Sequence, residues 1–201
     1  MDAIQIVFAS LVGIGLASAC GFRVFIPLLA MSIAGQSGAI ELSENMSWLG
    51  SWPAIVMLSV ATAAEIGGYY VPWIDNALDS VATPAALIAG TLATAAIIPG
   101  DMGSALQWSI AAIGGGGAAA ATQATTVVTR LVSTATTGGL GNPVVSTIET
   151  TASTGLSLAL ILIPVVGITL FLGLTALIIY TFIKRRKNRL ATTANPTTQA
   201  A

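Results

Sequence analysis

The sequence contains no histidine and a single cysteine, Cys20, and its only lysines are Lys184 and Lys187 in the tail KRRKNR. Without imidazole there is no His-based triad, no histidine metal site and no imidazole proton relay. One cysteine cannot close an intrachain disulfide or build a zinc cluster. With no lysine before the tail, a buried Schiff-base lysine is excluded as well. Charge is also scarce. Charged residues are 7% of the chain and hydrophobic ones 55%, with a mean hydropathy of +0.88. This balance belongs to integral membrane proteins and not to nucleic-acid binders.

What is present is a series of long apolar runs without period-two alternation. In lipid the backbone must satisfy its own polar groups, so such runs predict helices rather than a barrel. Six spans are expected: Ala3 to Ala34, interrupted by Gly21, Arg23 and Pro27; Pro53 to Val71; Pro84 to Ile98; Ser104 to Thr136; Pro143 to Ile163; and Pro164 to Ile183. The last two can also be read as one broken helix. The start MDAIQ lacks the positive flank of a signal peptide, so the first run reads as a retained helix despite ASAC at 17–20. Residues 1–183 form one transmembrane domain, with repeats expected at 1–100 and 101–183, and residues 184–201 a basic, disordered tail. Lys184, Arg185, Arg186, Lys187 and Arg189 place that tail in the cytoplasm.

Three spans on either side of PGDMG would form an inverted repeat, because three is odd. Each half opens with a small-residue helix, GIGLASACG or GGGGAAAA, followed by an arginine. Each then carries one glutamate, in VATAAEIGG and VVSTIETTA. Inversion would place Arg23 towards the outer end of its span and Arg130 towards the inner end. The run GGGGAAAA lacks the GxxxxGK[ST] pattern of a phosphate loop and reads as close helix packing.

Arg23, Glu65, Arg130 and Glu149 are the charges inside spans. Each costs at least ~2.5–3.5 kcal/mol at a helix centre, so each needs a partner or a water-filled cavity. Two readings are open: two ion pairs that fix helix register, or a polar site near the midplane for an ion or solute. Hydroxyls line up with them. Thr122, Thr126, Arg130, Ser133, Thr134 and Thr137 share one helical face, as do Ser146, Glu149, Thr150, Ser153 and Ser157. Such stripes line an aqueous path or join helices through hydrogen bonds.

The stretch YYVPWIDNALDSVATPAALIAG carries Asp75 and Asp79 four residues apart. Pro84 disfavours helix at Thr83, so a short amphipathic surface helix is expected before a new helix capped by Thr83. The two aspartates share its polar face. There they meet water, face a vestibule, or coordinate a cation with Asn76. Two carboxylates alone do not specify a metal, so the metal content is left unknown and no cofactor is expected.

Four stretches together carry a family resemblance: GLASACGFRVFIPLLA, VPWIDNALDSVATPAALIAG, GGGGAAAATQ and TGGLGNPVVSTIE. Over about residues 10–165 the chain resembles the domain of unknown function 4126 family of small multi-spanning bacterial membrane proteins. The resemblance implies an all-helical membrane protein and supplies no catalytic or binding residues. The leading expectation is an all-α polytopic bundle, oligomeric, that moves a small polar or ionic solute. Arg23, Glu65, Asp75, Asp79, Arg130 and Glu149 would form its pathway. The alternative is a non-transporting scaffold or assembly factor, and a lipid-directed enzyme comes third. No catalytic residue is assigned, and the partners expected are the bilayer, further copies of the chain and the solute.

Overall fold

The protein is described by a computed structural model covering residues 3–100, 103–163, 180 and 184. It is all-helical, with no strand among the described residues. The helices are α1 (Ala3–Phe22), α2 (Phe25–Gln36), a 3-10 helix (Glu44–Gly50), α3 (Trp52–Gly68), α4 (Pro72–Ile97) and α5 (Ser104–Ile110). A π-helical turn (Ala111–Gly116) then leads into α6 (Gly117–Thr137), and α7 spans Asn142–Ile163. Three helices, or four if the bent pair of the 3-10 helix and α3 counts as one span, are long and apolar enough to cross a bilayer. The sixth expected span and the basic cluster lie outside the described residues except at Tyr180 and Lys184. In that separate unit Lys184 Nζ stands 6.0 Å from the Tyr180 ring centroid.

Small residues set the packing of the bundle. On α4, Ala82, Ala86, Ala89, Ala93 and Ala96 recur every three or four residues and are all buried. That face meets α1 and the π-turn. A Cβ on Gly90 would lie 2.5 Å from the Ala119 Cβ and 2.8 Å from the Gly115 carbonyl. A Cβ on Gly21 would lie 2.5 Å from the Ala119 carbonyl. Backbones approach here as only glycine permits, which is the packing role expected of GGGGAAAA. The outward faces are apolar instead. Phe8, Leu11, Val56, Met57, Val60, Ile88 and Leu131 are all exposed, as suits side chains facing lipid. The structure is consistent with an integral membrane protein.

The same contacts fix directions. Gly13 of α1 packs on Thr94 of α4, and Ala17 on Gly90, so these helices are antiparallel. Ile14 meets Gly114, and Gly21 meets Ala119 and Thr122, so α1 and α6 run in parallel. Gly15 meets Leu160, and Ser153 donates to the Ala19 carbonyl at 3.0 Å, so α7 is antiparallel to α1. Helix α1, which leads into Arg23, and α6, which carries Arg130, are therefore not inverted copies. Sequence pairing by small residues misled because those residues recur wherever helices pack closely, whatever their direction.

Two boundaries differ from expectation. The run Ala3 to Ala34 is two helices, parted at Arg23 and Val24. After the break the chain turns back, and Ser43 reaches the Ala95 and Ala96 carbonyls at the far end of α4. Conversely, Pro84 neither ends nor starts a helix, and α4 is continuous from Pro72 to Ile97 with Pro84 inside it. An interior proline loses one helical hydrogen bond and crowds the preceding turn. Pro84 sits on the exposed side of α4, and the buried alanine face packed on α1 and α6 offsets that loss. No separate surface helix exists at Trp73 to Val81; those residues are the first turns of α4.

Candidate functional site

The break between α1 and α2 leaves two backbone donors without a helical acceptor. Arg23 N still donates to the Ala19 carbonyl at 3.2 Å, within the helical ladder. The next two amides leave it: Val24 N donates to Glu65 Oε1 at 2.7 Å and Phe25 N to Glu65 Oε2 at 3.1 Å. Glu65, on α3, thus supplies to α2 the acceptor that a capping side chain would give. A carboxylate also suits the positive end of a helix. Its placement follows from the antiparallel packing of α2 on α3, which brings the end of α3 beside the start of α2.

Arg23 itself turns towards α7. Its Nε donates to Thr150 Oγ1 at 3.1 Å, and its Nη2 to the Ser146 carbonyl at 2.9 Å and Ser146 Oγ at 2.5 Å. The same Nη2 lies 3.4 Å from Glu149 Oε2. Arg130 of α6 reaches the same carboxylate from the other side of the cluster. Its Nε donates to Glu149 Oε1 at 3.2 Å and its Nη2 to Oε2 at 2.5 Å, the two-point geometry that guanidinium and carboxylate favour. The Tyr69 ring joins both cations, its centroid 3.9 Å from the Arg23 guanidinium carbon and 4.2 Å from that of Arg130. Such cation–π contacts strengthen when desolvated, and Arg23, Tyr69, Arg130 and Glu149 are all buried.

Arg23, Glu65, Arg130 and Glu149 are therefore brought together in one cluster, and not as two separate pairs. One carboxylate serves two guanidiniums, while the other serves backbone amides. Arg23 and Arg130 lie at the same end of the bundle, against the opposite ends that an inverted repeat requires. Arg130 and Glu149 sit about two turns, roughly 10 Å, inside the ends of α6 and α7. Asp75 and Asp79 lie in the opening turns of α4, and their side chains are outside the described part of the structure. Among the described residues no three His, Cys, Asp or Glu gather as a metal site.

Most of the stripe hydroxyls have partners too, the buried Ser133 Oγ being an exception. Ser146, Ser153 and Ser157 of α7 are fully buried. Ser146 receives Arg23, Ser153 donates to α1, and Ser157 donates to its own helix at the Ser153 carbonyl, 2.7 Å away. On α6, Thr122 and Thr126 donate to carbonyls of their own helix. These stripes are helix contacts where they are buried. Tyr69 was not singled out by sequence reasoning. The available signal was its position four residues after Glu65, on the same face of α3 as it leaves the helix.

No curated protein and no solved structure matches the chain. A family model described as domain of unknown function (DUF4126) matches residues 10–184, and with that extent of match the chain belongs to this family.

Proposed function

We propose that the protein is a transporter or channel for a small anion, with the Arg23–Arg130–Glu149 cluster as its selectivity element. The observation that carries the proposal is the shared carboxylate. Two buried guanidiniums converge on Glu149, and Glu65 is occupied by the α2 amides. The two guanidiniums thus converge on one carboxylate, while Glu65 offsets the second positive charge from its place on the α2 amides. A broken helix beside intramembrane charges supports the same reading, since interrupted helices bring such charges to solute sites in many transporters. The solute, an oligomeric assembly, an inner-membrane location and a cytoplasmic C-terminus belong to this proposal. The inverted-repeat rocking mechanism does not.

The scaffold reading keeps one specific support: the α7 serines are spent on Arg23, on α1 and on α7 itself. Flux decides between the two. Purified protein in proteoliposomes should pass small monovalent anions faster than protein-free vesicles. Glu65→Gln, which keeps one acceptor for the α2 amides, should change the rate while leaving the protein folded. Absence of flux across a panel of halide, nitrate, formate and phosphate, from protein shown to be folded, would move the scaffold reading ahead.

A further inference from the structure

Helix α3 and the start of α4 leave a groove of about 560 Å³ between them. Small residues of α3, Ala61, Ala64, Gly67 and Gly68, form one wall, and Val71, Ile74 and Leu78 form the other. Val71 and Ile74 remain exposed, so the groove opens outward. At Gly68 its walls close, since a Cβ there would lie 2.7 Å from Leu78 Cδ1 and 3.0 Å from Ile74 Cγ2. One residue earlier they stand apart: a Cβ on Gly67 meets nothing within 4 Å. Apolar walls alone would suit any acyl chain. The informative residue is Glu65, which lines the groove beside Phe25 and is its only polar side chain among the described residues.

The state of this carboxylate defines what can meet it. Each of its oxygens accepts one amide bond, from Val24 and from Phe25, and neither accepts another among the described residues. An ionised carboxylate offers about four lone-pair sites, so acceptor capacity remains. Its charge, by contrast, is already matched, because Glu65 and Glu149 stand against Arg23 and Arg130. A cationic ligand would add an unbalanced charge at membrane depth, and an anionic one would be repelled by Glu65 itself. We propose that the groove binds a neutral membrane amphiphile with a single hydroxyl, a long-chain alcohol, which donates its O–H to Glu65 and lays its apolar body along Ala61 and Ala64. Glu65 lies about one turn, roughly 5 Å, inside the end of α3. The hydroxyl then sits near the headgroups while the chain runs deeper. This inference does not rest on anion transport, since it uses Glu65 only as a hydrogen-bond acceptor.

The test is photolabelling of the full-length protein in phosphatidylethanolamine–phosphatidylglycerol nanodiscs with a diazirine analogue of hexadecanol. Label should appear on the groove residues of α3 and α4, saturate, and be displaced by unlabelled hexadecanol. Hexadecyl methyl ether keeps the chain and lacks the donor. It should compete roughly tenfold or more weakly, as expected for one hydrogen bond to a charged acceptor. Hexadecylamine, a cation at neutral pH, should also compete more weakly than the alcohol. Gly67→Leu fills open space without touching Glu65, so the protein should fold and lose saturable labelling. Glu65→Gln should shrink the preference for alcohol over ether, a ratio that a merely structural role for Glu65 would leave alone. Absence of saturable groove labelling overturns the proposal, as does persistence of such labelling in folded Gly67→Leu. Ether competing as well as alcohol reduces the groove to a lodging for any acyl chain and overturns it too. A preference unchanged in Glu65→Gln removes Glu65 as the acceptor, and amine competing as well as alcohol overturns the neutral class.

Discussion

The two ends of the bundle solve one problem with opposite chemistry. At the α1–α2 break the unsatisfied groups are donors, the Val24 and Phe25 amides, and the acceptor is the carboxylate of Glu65. At the end of α4 the unsatisfied groups are carbonyls. Their donors are neutral: Ser43 N and Oγ on Ala96 and Ala95, and Gln107 Nε2 on Ala95 and Ile98. A helix N-terminus attracts negative charge, so a carboxylate fits there, and it then brings a requirement for positive charge nearby. The C-terminal end is satisfied without any ion. The difference teaches that the buried charges of this bundle collect at one end, where a broken helix exposes donors, while the carbonyls at the other end need only amide and hydroxyl groups.

The comparison breaks hardest at Glu149. Glu149→Ala strands two buried guanidiniums, and thermal unfolding in detergent should show a loss of about 3–5 kcal/mol, the range for removing one partner of a buried ion pair. Replacing Arg130 by Met together with Glu149→Leu should recover part of it, because the lost term is uncompensated charge rather than packing. Glu65→Gln comes next, at about 1–3 kcal/mol, since one α2 amide loses its acceptor. Hydrogen exchange at Val24 and Phe25 should quicken selectively, and unchanged exchange there would count against the capping role. Ser43→Ala, the counterpart at the neutral end, should cost only about 1 kcal/mol in the same unfolding assay, because Gln107 still reaches Ala95.

The seam between the ends supplies one substitution that clashes and one that serves as its control. Gly115→Ala would drive its Cβ onto Thr94 Oγ1 and to 2.5 Å from the Gly90 carbonyl. Overpacking of this kind costs about 1–3 kcal/mol. Gly117→Ala meets nothing within 4 Å and should instead stabilise by about 0.4–1 kcal/mol through the unfolded chain. Equal effects of the two alanines on the unfolding midpoint would show that the close approach does not limit packing.

Much of the architecture was legible before any coordinates. Scarce charge and long apolar runs specify helices in lipid, because a backbone without water must bond to itself. The list of charges that matter was legible for the same reason: Arg23, Glu65, Arg130 and Glu149 are too costly inside a span to be unpartnered. The pairing was not legible. Which carboxylate serves which cation depends on helix direction and rotation, and those come from where glycines such as Gly21, Gly90 and Gly115 let backbones touch. Pro84 was misread because a local preference against helix was set against a packing gain visible only once Ala82, Ala86, Ala89, Ala93 and Ala96 have a surface to meet. Tyr69 was overlooked because an aromatic ring announces nothing until two guanidiniums approach it.

By itself, then, the sequence determined the solvent, the helical class of the fold and the inventory of costly groups, since these depend on composition and local spacing. The tertiary structure alone decided that α1 and α6 are parallel, that Glu65 holds a helix end, and that Arg23 and Arg130 share Glu149. Those outcomes rest on contacts between residues as far apart as 23 and 149, and close packing across such separations is a property of the folded chain and not of any local stretch.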